Sequence, residues 1–152
     1  MTSKIPSFIE WDDRLKFGIL PVDKQHEQLV LLTNNLHLAC LRGTETAYDN
    51  FITAIHKTVE YVRYHFTTEE KLMLLVEYPG YYDHKLEHES FIKEVLVQTR
   101  KFEINKHLVP NRFVYFLKEW ILSHIAVSDK AMAEFIIQTK HYEKLLELFP
   151  RE

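Results

Sequence analysis

The sequence predicts an all-α protein, an up-down-up-down antiparallel four-helix bundle with an N-terminal arm and an extended last helix. Three observations carry that expectation. Hydrophobic residues make up 46% of the 152 positions, enough to build the core of one ordinary domain. Only three Gly and five Pro interrupt them, which favours long helices over a sheet. The breakers separate four stretches of helical length joined by short links, and short links make sequential helices antiparallel neighbours.

Taken in order, residues 1–20 read as an irregular arm whose Phe8, Ile9 and Trp11 lie across the helix ends. Pro21-Val22-Asp23 starts the first helix, with a carboxylate near the positive end of its dipole. Leu29, Leu32, Leu36 and Ala39 recur at helical spacing, and Arg42-Gly43 supplies a stop after Leu41. A second helix, capped by Thr44, runs to about Val76, where Tyr78-Pro79-Gly80 breaks it. The third spans roughly Tyr82 to Ile104. Pro110 opens the fourth, which meets few breakers before Pro150. Residues 133–152, with Phe135, Ile136, Leu145, Leu146 and Leu148, read as a packing extension of that helix, with a partner-binding surface or oligomer contact as the alternative. There is no internal repeat and no low-complexity segment, so 1–152 is expected to form a single domain.

The formal charge of −3 gives no electrostatic reason to expect nucleic acid or an anionic membrane as partner. A single cysteine, Cys40, cannot form an internal disulfide. The opening MTSKIPSFIEWDD lacks the apolar core of a signal peptide, and no apolar run approaches membrane-spanning length. These features imply a cytoplasmic protein, with a monomer expected. The unusual feature is nine histidines beside 13% aromatic residues.

The histidines concentrate around His65-Phe66-Thr67-Thr68-Glu69-Glu70-Lys71-Leu72-Met73, followed by His84 and His88. Residues four apart on a helix lie about 40° from one another around the axis, so His65 and Glu69 share a face, as do His84 and His88. Two such pairs on consecutive helices, embedded among apolar residues, are how a bundle builds a metal site in its core. Phase sorts the rest. His56 precedes His65 by nine residues, about 180° around, and should face away. His107 precedes the fourth helix, and His141 is about 100° off the phase of His124. His37 returns to the phase of His26 but about 16 Å further along the axis, too far for the same site. That leaves His26, His65, His84, His88 and His124. Asp129, five residues after His124, would sit about 140° away on a regular helix. It joins that face only on a longer reach or a local loosening of the turn; otherwise it is a solvated carboxylate.

The chain resembles the bacterial hemerythrin-like proteins. The likeness rests on Asp23-Lys24-Gln25-His26, His65-Phe66-x-x-Glu69-Glu70-x-Leu72-Met73, His84-x-x-x-His88 and His124-Ile125-x-x-x-Asp129, with the Phe8-Ile9-Glu10-Trp11 arm. It covers about residues 8–132. It implies a four-helix bundle holding two iron ions in an oxo- or hydroxo-bridged di-iron centre that binds O₂ reversibly. Myohemerythrin is itself a standard instance of this bundle topology, so the resemblance and the fold expectation are not independent. By the resemblance, Glu69 and Asp129 bridge the irons. His84, His88 and His124 hold one iron, and His26 and His65 hold the other. The family's pocket corresponds to Leu29, Phe66, Trp120, Ile121 and Ile125, with O₂ at the iron of His26 and His65 and small anions such as azide competing for the same place.

Ligand counting agrees. Seven protein ligands exceed a four-coordinate zinc site. Two six-coordinate metals offer about 12 positions, and five imidazoles, two bridging carboxylates and one bridging solvent oxygen leave one open. Changing the net charge of a buried centre is expensive, so the open position should be walled by apolar groups. The expected role is an oxygen carrier, store or supplier and not an enzyme. The alternative is a di-iron redox enzyme or sensor acting on O₂, peroxide or nitric oxide.

Overall fold

Residues 7–41, 45–105, 110–139 and 142–147 are described in a computed structural model. Four long helical rods run antiparallel: α1 (Leu20–Leu41), α2 (Glu45–Leu75), α3 (Tyr81–Ile104), and a last rod made of α4 (Asn111–His124), a π-helical turn (Ile125–Asp129) and α5 (Lys130–Ile137). A 3₁₀ turn, Asp13–Leu15, precedes them, and a short α6 (Tyr142–Leu146) follows. No strand occurs among the described residues. The proposed stops and caps at Arg42-Gly43, Thr44 and Pro150 lie outside the described residues, as do His107, His141 and Leu148.

The arm departs from expectation. It lies along the α1–α4 seam and not across the helix ends. The side chain of Asn34 clamps Ile9 by taking its N–H at 2.8 Å and donating to its carbonyl at 2.9 Å. Phe8 stacks on His37 and meets Tyr115 edge-on, with the Lys118 ammonium over its ring. Asp23 does more than complement the helix dipole. Its carboxylate accepts the N–H groups of Phe17 and Gly18 at 2.8 and 3.1 Å, fastening the end of the arm to α1. Gly18 sits at φ +89°, where a side chain would be strained.

α2 ends where the sequence breaks, but the residue in the left-handed region is Glu77 (φ 53°) rather than Gly80. Tyr78 N–H reaches back to the Met73 carbonyl and Glu77 N–H to that of Leu74, the paired bonds of a Schellman cap, and Pro79 prevents further helix. The last rod extends beyond His124, as expected, but does not run unbroken towards Pro150. It ends at Ile137, where Thr139 turns back to give both its N–H and its hydroxyl hydrogen to the Ile136 carbonyl. α6 then folds beside the arm, with the Tyr142 hydroxyl donating to the Gly18 carbonyl and Leu145 buried.

Two apolar cores divide the bundle, and a third, smaller cluster of Ile9, Leu15, Val30, Ile121 and Ile125 seats the arm. Leu36, Ile55, Phe91, Val95, Phe113 and Leu117 belong to one. Ile19, Val22, Leu72, Met73, Met132 and Ile136 belong to the other. Along α1, α2 and the last rod the predicted ligand residues fall between these two sets, and on α3 they fall between the half-buried Tyr81 and the buried Phe91, so they meet in a waist with apolar packing on both sides.

Candidate metal centre

α1 brings His26 to this waist, α2 brings His65 and Glu69, and α3 brings His84 and His88. α4 adds His124, and the π turn adds Asp129. All seven are at most 5% exposed. Both carboxylates divide their oxygens between the same two groups of imidazoles. Glu69 Oε1 lies 3.0 Å from His65 Nε2 and 3.6 Å from His26 Nε2. Its Oε2 lies 3.1 Å from His88 Nε2 and 3.3 Å from His84 Nε2. Asp129 Oδ2 approaches His26 Nε2 at 2.9 Å, while Oδ1 approaches His124 and His84 Nε2 at 2.9 and 3.1 Å. The atoms therefore form two overlapping sets. His26, His65, Glu69 and Asp129 make one, and His84, His88, His124, Glu69 and Asp129 the other, with all ligand atoms in a set within 4.8 Å of one another.

These contacts do not satisfy the atoms that make them. His65 Nε2, both Glu69 oxygens and Asp129 Oδ1 are buried without a well-angled hydrogen bond, although imidazoles or carboxylates stand about 3 Å away. The Nε2 atoms of His84 and His88 each lie 3.1 Å from that of His124. Burying unpaired polar atoms costs roughly 1–3 kcal/mol each. Imidazole nitrogens and carboxylate oxygens converging in a dry interior are what a cation compensates, so the donor set fits bound metal.

Asp129 reaches the cluster because the helix loosens. The π turn over Ile125–Asp129 adds one residue to the local turn, undoing most of the 140° misalignment a regular helix would impose. The loosening anticipated for this stretch is present. Ile121 and His124 before the turn and Met132 and Ile136 after it are all buried, and since Ile121 and Met132 would lie only about 20° apart on a regular helix, it is Asp129 that the loosening brings round.

Four of the five outer ring nitrogens are held from behind, by groups that residue-type reasoning missed, and that of His84 is buried without a partner. His65 Nδ1–H donates to Gln25 Oε1 at 2.8 Å, and the Gln25 amide in turn donates to Thr68. His26 Nδ1 meets the Leu15 carbonyl of the arm at 3.2 Å, and His88 Nδ1 meets Glu70 at 3.0 Å. His124 Nδ1 meets Glu87 at 2.8 Å, and Glu87 is also bound by the Ser128 hydroxyl. Each bond places the proton on Nδ1 and turns a bare Nε2 inward, as metal ligation requires. The available signal was adjacency: Gln25, Glu70 and Glu87 each sit next to a ligand residue in the chain.

Without cations the same atoms hold protons. Burial alone would push the His26 and His84 imidazoles down, but Asp129 and Glu69 outweigh it and raise both to about 10. Burial likewise opposes charge on Glu69 and Asp129, yet the surrounding imidazoles hold Glu69 well below the ordinary carboxylate value, and His124 and His26 do the same for Asp129.

His56 lies away from the cluster, its side chain 60% exposed and bonded to Glu103. His37 packs against Phe8 on the arm. The side chains of Leu29, Phe66, Trp120, Ile121 and Ile125 converge on one cavity of about 10 Å³ that also touches His65, His124 and Asp129. Trp120 stacks on His124 and Phe66 on His88, bracing both rings.

The sequence model of the family described as the hemerythrin HHE cation binding domain matches residues 19–136. A bacteriohemerythrin of Stenotrophomonas maltophilia is 31% identical over 128 residues, covering 84% of this chain and 81% of that one. One from Pseudomonas aeruginosa is 32% identical over 126 residues, covering 83% and 80%. The crystal structure of a wild-type hemerythrin superposes with a TM-score of 0.77 at 23% identity, covering 84% of this chain and 96% of that one. At that identity the superposition speaks for the fold.

Proposed function

The chain belongs to the hemerythrin family, and from that premise we propose that it binds O₂ reversibly at a centre of two iron ions, as a carrier, store or supplier of oxygen. Iron supplies the reversible redox change and an open coordination position. His84, His88 and His124 would hold one ion, His26 and His65 the other, with Glu69 and Asp129 spanning both. The observation that carries this reading is the division of each carboxylate's two oxygens between a two-imidazole and a three-imidazole side.

The chain's own residues account for reversibility. Leu29, Phe66, Ile121 and Ile125 wall the cavity and keep water out of it. Apart from His65, His124 and Asp129, the groups lining that cavity are aliphatic or aromatic and supply no acidic proton. A centre that reduces O₂ or peroxide needs such a proton source. This favours carriage over a redox enzyme. Small anions such as azide should compete for the same cavity in the oxidised protein.

The test is repeated air–argon cycling of the purified protein, followed by absorbance, after elemental analysis. The expected result is about two iron per chain and a di-ferric charge-transfer spectrum that appears in air and fades under argon over several cycles. Full oxidation in one cycle without return would replace this reading with the redox enzyme or sensor.

A further inference from the structure

Among the partners of the outer ring nitrogens, one differs in kind. Gln25, Glu70 and Glu87 are side chains on long helices, whereas His26 Nδ1 gives its hydrogen to a backbone carbonyl of the arm, that of Leu15, at 3.2 Å. The aim of His26 is therefore only as firm as the arm's hold on the bundle. Segments near the chain ends stay ordered only where something ties them down.

The run Leu15–Gly18 wraps His26. The Phe17 ring meets the imidazole edge-on at 5.9 Å, and the Asp23 carboxylate takes the N–H groups of Phe17 and Gly18. Asp23 does not hold the Gly18 carbonyl. Gly18 lies at φ +89°, and glycine moves between backbone conformations at little cost, so this peptide is a soft joint between the arm and α1. The C-terminal part of the chain closes on that joint. The Tyr142 hydroxyl of α6 donates to the Gly18 carbonyl, and Ile137 Cδ1 stands 3.6 Å from the place a Gly18 Cβ would occupy. Leu145, one turn beyond Tyr142, is buried and anchors α6. The family model ends at residue 136, so all three of these residues lie past the matched stretch.

We propose that α6 is a clamp on the metal centre, and that Tyr142 is a positioning residue which, through Gly18 and the Leu15 carbonyl, fixes the orientation of the His26 ring. His26 stands on the two-imidazole side of the cluster, where the proposed function puts the open position, so the clamp sets how firmly a small ligand is held there. That consequence rests on the di-iron reading; the clamp itself does not.

Tyr142→Phe removes the hydroxyl and leaves the ring to pack beside the second apolar core. The first measurement is the exchange of imidazole N–H protons with solvent, read by nuclear magnetic resonance on the metal-free full chain at fixed pH. In the variant the His26 Nδ1 proton should exchange several-fold faster, while that of His65, held by Gln25, stays unchanged. An unchanged His26 rate overturns the proposal, and so does an equal acceleration at His65, which would mean general loosening. In the iron-loaded oxidised protein, azide should bind several-fold more weakly to Tyr142→Phe than to wild type at equal iron content. Equal affinity would overturn the link from α6 to the metal. A wild type that takes up no iron would sink the di-iron reading alone, because the proton measurement needs no metal.

Discussion

At the scale of single residues, ligands differ from the groups that aim them. Gln25 is buried and has no lone pair in the cluster, yet it is tied to both His65 and Thr68. Removing such a partner leaves the ligand in place but lets its ring turn and its tautomer change. Gln25→Ala should therefore retain the fold and weaken metal retention by about 10–100-fold, the usual cost of losing an outer hydrogen bond. Competition with a chelator, read as iron remaining per chain, checks this. His56→Ala is the control: its ring is exposed and bonded to Glu103, so iron content should not move. Iron loss from His56→Ala would overturn the assignment of the inward face, and unchanged retention in Gln25→Ala would show that packing alone aims His65.

At the scale of the element, the π turn is the feature on which the cluster's geometry depends. It lets one helix present His124 and Asp129 to the same centre and still bury Met132 and Ile136. Ala126 lies within it and is exposed. Deleting Ala126 should close the turn into regular helix, leave His124 and Asp129 four residues and about 40° apart, and keep both the fold and the iron. Inserting one alanine after Ala126 should instead swing α5 by about 100°, taking Asp129 off the centre and Met132 into solvent. Thermal melting by circular dichroism together with iron analysis separates the two variants. Equal tolerance of insertion and deletion would mean that phase does not govern this segment.

At the scale of the whole molecule, the waist between the two apolar cores is where folding and metal binding are coupled. In the metal-free chain the buried charge of Glu69 and Asp129 is balanced by protons on His26 and His84. Both imidazoles rise from 6.5 to about 10 on folding. A raised value means that the folded state binds more protons than the unfolded state between those two pH values. Their contribution is therefore fully present below pH 6.5 and is lost as pH rises towards 10. Glu69 and Asp129, held low, contribute in the opposite sense, and their share is lost only as pH falls below the ordinary carboxylate range. The metal-free protein should thus lose thermal stability steadily from neutral pH to about 10. The iron-loaded protein, in which cations replace the protons, should not. Melting curves of both forms across that range test it, and parallel curves would show that these protons do not hold the waist together.

Much of this was determined by the sequence itself. The spacing of Gly and Pro set the four rods, and the i, i+4 pairs at His65/Glu69 and His84/His88 placed four residues of the cluster without any coordinates, because helical phase is a local property. The same arithmetic turned His56 outward. What only the tertiary structure decided involves contacts between distant segments. Asp129 depends on a turn that loosens between two buried stretches of the last rod. Gln25, Glu87 and the Leu15 carbonyl act on rings that lie 40, 37 and 11 residues away. The arm's course along α1 and α4 follows from Asn34 clamping Ile9, and the end of the last rod from Thr139 folding back on Ile136. Periodicity is blind to such bonds, because it records which face a residue occupies and not what stands opposite it.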